Sequence, residues 1–308
     1  MLAIVAPGQG SQSPGFLSPW LESSELRSTL AQFSQSIGLN LEHLGTLAGA
    51  DEIRDTANAQ PLIVSAGILA MRSLGDFQFS LTAGHSVGEI TSAAIAGVIS
   101  NMDAMQLVRE RGLAMAVAAA QSPTGMSAVL GGDRNEVMAR LSTLGLVGAN
   151  ENGAGQIVAA GDLVALAELE ANPPDGARIR PLAVAGAFHT EVMKPAVGHL
   201  REFAAGISVG EPKVSVLSNR EGARVTTGRE ILERIITQVA NPVRWDLCME
   251  SMKACGITAV IELPPAGTLI GLIKRALPGV ETLALKSPAD LEAAADLIAR
   301  HSEKVGAK

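Results

Sequence analysis

Gly84-His85-Ser86-Val87-Gly88 sets a serine two residues from a glycine on either side. In that spacing a strand can turn sharply into a helix and present a hydroxyl at the bend. With 32 glycines and 23 serines in 308 residues, chance supplies roughly 0.25 such patterns, so an inert small-residue turn stays open as a reading. A serine hydroxyl attacks a carbonyl only when a base takes its proton, and histidine titrates in the useful range. Of five histidines, His189 in Gly186-Ala187-Phe188-His189-Thr190 sits where a loop can return it to Ser86. His85 adjoins the serine but points another way out of such a turn, which suits packing better than proton transfer, and it remains the alternative base. His43, His199 and His301 fall on expected surface helices or loops.

Acyl transfer through serine also needs donors for a tetrahedral oxyanion. The N–H of Val87, directly after the serine, is the usual first donor. Gln9, in the Gly8-Gln9-Gly10 loop after the first strand, is the second candidate, with a plain turn as its alternative. That loop has neither a P-loop lysine nor a dinucleotide fingerprint. Arg111 follows on a long helix. An arginine facing the site would grip a carboxylate bidentately, and a solvated helix cation is the competing reading.

The elements that position these groups alternate in the α/β manner. Leu2–Ala6 reads as a buried strand, 61–74 as an apolar helix, 79–83 as the strand before Ser86, 89–96 as the helix after it, and 102–120 as the helix carrying Arg111. From 124 to 184 the order becomes β-α-β-β-α-β, the ferredoxin-like unit. The expected fold is therefore an α/β-hydrolase-like core with a largely parallel sheet, residues 1–121 and 194–308, and an inserted ferredoxin-like domain, residues 122–193. Farther on, Asn241-Pro242 is expected to end one helix and open the next.

The composition, 47% hydrophobic and 18% charged, is that of a globular chain large enough to bury a sizeable core. The net charge of −7 argues against nucleic acid as partner. Cys248 and Cys255 have no metal-ligand spacing and make no disulfide framework, so both read as small side chains in a reducing compartment. The first residues lack the basic region of a signal peptide, and no apolar run spans a membrane, so a cytoplasmic location is expected.

Taken together, these residues resemble the malonyl-CoA:acyl carrier protein transacylase family over nearly the whole length. The likeness rests on Pro7-Gly8-Gln9-Gly10-Ser11-Gln12, Gln60-Pro61, Gly84-His85-Ser86-Val87-Gly88-Glu89, Arg111 with Gly112 and Met115, Gly125-Met126, Gln156-Ile157-Val158, Phe188-His189, Gln238 with Asn241-Pro242-Val243, and Pro264-Pro265-Ala266. The last of these stands where Gly-Pro-Gly is more usual. The resemblance implies Ser86 as acylated nucleophile, His189 as base, Gln9 and Val87 as oxyanion donors, and Arg111 as holder of a malonyl carboxylate. It adds Gln238, Phe188, Gln156 and Met115 to the substrate site, a main-chain carbonyl near Gln238 to steady the histidine, and Phe188 as the form that goes with malonyl over methylmalonyl selection.

The implied partners are malonyl-CoA and acyl carrier protein, with no bound metal or cofactor and a monomeric chain. Lys194, Arg220 and Arg275 are candidate contacts for an acidic carrier. The competing readings are a serine esterase with the same turn, a non-catalytic carrier-binding module, and a transacylase serving polyketide synthesis or malonate decarboxylation.

Overall fold

Leu2–Ala6 buries every side chain, as befits an interior strand of a parallel sheet covered on both faces, and it forms β1. The computed structural model describes residues 1–302. After β1 come α1 (Ser24–Ile37), α2 (Leu41–Thr46), α3 (Ala50–Arg54), α4 (Thr56–Leu74), β2 (Leu81–Gly84), α5 (Gly88–Ile95) and α6 (Asn101–Ala119). Next are β3 (Thr124–Gly131), α7 (Arg134–Thr143), β4 (Val147–Gly153), β5 (Gln156–Asp162), α8 (Leu163–Ala171) and β6 (Ala177–Pro181). The chain closes with α9 (Lys194–Ala204), β7 (Ser215–Leu217), β8 (Arg224–Val225), α10 (Gly228–Gln238), β9 (Val243–Arg244), α11 (Trp245–Ala254), β10 (Ala259–Glu262), α12 (Thr268–Ala276), β11 (Glu281–Ala284) and α13 (Leu291–His301). Among these residues, no helix is long and apolar enough to cross a membrane.

Two sheets result. The larger runs β11-β10-β1-β2-β7-β8 and is parallel except for β8. The smaller runs β6-β3-β5-β4-β9, antiparallel among its first four strands, with β9 parallel to β4. One face of the small sheet packs Val129, Ile157 and Ala159 against Val137 and Leu141 of α7 and Leu166 and Leu169 of α8. Met126 and Val158, at the alternate positions of β3 and β5, help to line a cleft shared with the large sheet.

Two sequence readings are corrected here. Pro242 does not open a helix, because Val243 and Arg244 pair with Asn150 and Glu151 of β4, and α11 starts only at Trp245. The helix expected from Pro61 begins at Thr56 instead, with Asp55 capping Ala57 N–H at 2.8 Å and Pro61 inside it. Proline there leaves the carbonyl four residues back without its helical donor. Arg109 of α6 supplies one, donating to Ala57 O at 2.8 Å.

Candidate active site

β1 and β2 lie side by side with Ala6 opposite Gly84, so whatever follows β2 turns over the end of β1. A Cβ on Gly88 would come within 2.2 Å of Ala6 O, and one on Gly84 within 1.9 Å of Gly88 C. Only glycine fits at either position, which is the steric content of the Gly-x-Ser-x-Gly pattern. Between them Ser86 is held at φ 52, a strained value for a residue with a side chain.

Two side chains from remote segments, Asn219 and Gln238, hold that turn together with Glu89 of the helix it opens. Asn219 accepts from Ser86 N–H at 2.8 Å and donates to Gly84 O at 2.7 Å. Gln238, at the end of α10, donates to Ser86 O at 3.1 Å. Glu89, in the first turn of α5, accepts from Asn219 N–H and from Gln238 Nε2, each at 2.5 Å.

His189 follows β6 and also has positive φ, 63. Its N–H donates to Val239 O at 2.9 Å, and its Nδ1 lies 2.9 Å from Gln238 O. A carbonyl only accepts, so Nδ1 carries the proton and Nε2 is left to accept from Ser86 Oγ, 2.8 Å away. Burial, then the nearby Arg111 charge, push this imidazole down to about 3, so it stands neutral at ordinary pH.

Arg111, 1% exposed, projects from α6 with one N–H donating to Gln60 Oε1 at 2.7 Å. The other terminal nitrogen donates to Gln238 Oε1 at 2.8 Å and reaches Ser86 Oγ at 3.3 Å. Its Nε has no partner among the described residues. A buried guanidinium with an unused donor beside a nucleophilic hydroxyl suits an anionic group placed next to the reacting carbon. Burial lowers this group to about 10, and Glu89 opposes the shift, so the charge persists at neutral pH.

Gly8 is pressed onto the turn, since a Cβ there would lie 2.9 Å from His85 Nδ1. Gln9 and Val87 therefore both border the cleft at Ser86, and neither backbone N–H has an acceptor among the described residues. Phe188, Met115 and Gln156 line the same cleft of about 250 Å³. Gln238 does not line it and stands behind Arg111 and His189. His85 Nε2 donates to Asn152 Oδ1, 2.8 Å away, and the ring meets Trp245 edge-on, which fits a packing role.

Of the candidate basic contacts, Lys194 pairs with Glu191 at 2.6 Å and Arg220 donates to Thr237 at 3.0 Å. Arg275 shares α12 with the cleft residues Leu269 and Leu272. His43, His199 and His301 each meet a glutamate at the surface. Both cysteines are free.

Sequence reasoning passed over Glu89, Asn219, Gln60 and Asn152 as parts of the site. Glu89 left one signal, a lone acid directly before the apolar stretch Ile90-Thr91-Ser92-Ala93-Ala94-Ile95 that reads as a buried helix.

Comparison with known proteins places the chain. The family model described as acyl transferase domain matches residues 4–295. The malonyl CoA-acyl carrier protein transacylase of Mycobacterium tuberculosis (strain ATCC 25618 / H37Rv) is 51% identical over 302 residues, covering 96% of this chain and 100% of that protein. The chain belongs to the malonyl CoA-acyl carrier protein transacylase family within the acyl transferases. The crystal structure of MCAT from Mycobacterium tuberculosis superposes with a TM-score of 0.93 at 51% identity, over 96% of this chain and 99% of that one. A malonyl-transacylase solved in complex with its type II PKS acyl-carrier protein gives a TM-score of 0.89 at 30% identity, over 96% and 99% of the two chains.

Proposed function

We propose that this enzyme moves a malonyl group from malonyl-CoA to the phosphopantetheine thiol of an acyl carrier protein, in fatty-acid synthesis, through an ester on Ser86. His189 Nε2 takes the Ser86 proton as Oγ attacks the thioester carbonyl, and the oxyanion rests on the N–H groups of Gln9 and Val87. The C–S bond breaks and the CoA sulfur leaves with the proton from His189. The carrier thiol then gives its proton to His189, attacks the ester, and returns Ser86 to its starting state.

Arg111 Nε and its neighbouring terminal nitrogen hold the malonyl carboxylate throughout, with Phe188, Met115 and Gln156 around the acyl group. The observation that carries this reading is the buried Arg111 guanidinium 3.3 Å from Ser86 Oγ. A hydrolase of neutral esters has no use for it. Burial lowers the basicity of His189 in the free enzyme most, and the Arg111 charge adds to it. A carboxylate on Arg111 cancels part of the charge that holds the imidazole down, so the base strengthens as the malonyl group seats.

The same reading takes 122–193 as a ferredoxin-like insertion in a hydrolase-like core, supported by the small-sheet order β6-β3-β5-β4 and the mainly parallel large sheet. The test is single-turnover labelling with radiolabelled malonyl-CoA followed by a chase with holo acyl carrier protein. Wild-type enzyme should form a labelled adduct that the carrier discharges, and Ser86→Ala should form none. A stable labelled adduct on Ser86→Ala would overturn the mechanism.

A further inference from the structure

We infer that Glu89 is a positioning residue for carboxylate selectivity, acting on Arg111 through the side-chain amide of Gln238. The inference rests on the malonyl reading above and deepens it. An amide can face either way, and which way Gln238 faces decides whether Arg111 meets an acceptor or another donor. Glu89 Oε2 accepts from Gln238 Nε2 at 2.5 Å, closer than that nitrogen's other acceptors, Ser86 O and Asn219 Oδ1 at 3.1 Å each, and so does most to keep Gln238 Oε1 toward Arg111 at 2.8 Å. Glu89 Oε1 is occupied by Asn219 N–H at 2.5 Å, so the carboxylate cannot rotate away. Both of its oxygens face donors, which favours the ionised form against the burial that pushes this carboxyl up to about 7.

Glu89 is 3% exposed and touches neither Ser86 Oγ nor the cleft, so its effect on the reacting atoms passes through others. The charged and titratable groups facing it are Arg111 of α6, Arg234 of α10 and Cys248 of α11. Arg234 has its own partners in Glu221 at 2.7 Å and Glu230 at 2.8 Å. Arg111 has no other carboxylate partner among the described residues, and Glu89 is the acid the fold sets on its far side from the substrate.

Glu89→Gln puts an NH₂ where one carboxylate oxygen was, opposite a donor. Gln238 then turns over and presents its own NH₂ to Arg111, whose guanidinium loses its seat. The experiment measures kcat and KM for malonyl-CoA and acetyl-CoA in wild type, Glu89→Gln, Arg111→Ala and the double variant. We expect Glu89→Gln to raise KM for malonyl-CoA about 10- to 100-fold and to reduce acetyl-CoA use far less. Because Glu89 acts through Arg111, the same substitution made in the Arg111→Ala background should cost no more than about twofold further for malonyl-CoA.

Equal losses for the two substrates, additive losses in the double variant, or no loss at all would each overturn the proposal. Gln238→Ala removes the linking amide and leaves Glu89 in place. It serves if Glu89→Gln does not fold and carries the same expectations. Failure of the malonyl reading itself looks different: wild type then shows no preference for malonyl-CoA, and Arg111→Ala changes nothing.

Discussion

Arg111 is a cation enclosed by protein, held by two neutral glutamines and short of one acceptor. A charge-assisted hydrogen bond contributes about 1.5–3 kcal/mol, so Arg111→Ala should lower the ratio of malonyl-CoA to acetyl-CoA kcat/KM about 100-fold. Steady-state kinetics with both donors checks this. His189 makes a pH prediction. Its folded-state value of about 3 lies below that of an unfolded histidine, so its contribution to stability is complete above pH 6.5 and is lost as pH falls from there toward 3.

Between pH 7 and 5 the wild type should therefore lose about 2 kcal/mol more than His189→Gln, measured by denaturant unfolding at both values. Ser86, His189 and Arg111 could be named as candidates from residue type and spacing because each chemistry admits few side chains. Glu89, Asn219 and Gln60 could not. Their roles exist only once the fold brings together residues as distant as Asn219 and Glu89, 130 positions apart.

The turn between β2 and α5 stores strain at Ser86, and that strain is measurable apart from the chemistry. Ser86→Ala and Ser86→Gly both lose the hydroxyl, but only glycine is at ease at φ 52. Ser86→Gly should be more stable than Ser86→Ala by about 1 kcal/mol, about 2 °C in Tm by calorimetry. Equal stability would mean that the turn relaxes when the hydroxyl is removed. This element was readable in advance because Gly84 and Gly88 are required locally, by contacts within the turn and with β1. β9 was not readable. A two-residue strand has no periodicity, and Val243 and Arg244 become a strand only because β4 offers an open edge.

At the level of the whole molecule the cleft at Ser86 is lined from both sheets, by Met126 of β3 and Val158 of β5 as well as by the turn after β2. Glu151 of β4, 8% exposed at its side chain, pairs with Arg134 at 2.6 Å and with Arg244 of β9 at 3.5 Å, so it ties the small sheet to the segment leading into α11. Removing it leaves the half-exposed Arg134 without its carboxylate and Arg244 with Asp246 alone. Glu151→Ala should destabilise the enzyme by about 2 kcal/mol and speed amide exchange in β9 before it affects β1 or β2, which hydrogen exchange read by mass spectrometry resolves. Unchanged exchange in β9 would show that junction to be held by packing alone. The alternation of strands and helices and the β-α-β-β-α-β stretch were legible from hydrophobic periodicity. The way the two sheets meet was not, since it depends on pairings such as His85 with Asn152, 67 positions apart.

In the proposed reaction one serine accepts an acyl group chosen for its carboxylate. Intact-mass measurement after brief exposure to malonyl-CoA and, separately, to acetyl-CoA, with mapping of the acylated peptide, tests it most directly. A single malonyl group on Ser86 and little acetyl are expected. Equal acetyl and malonyl loading, or acylation at any other residue, would contradict it.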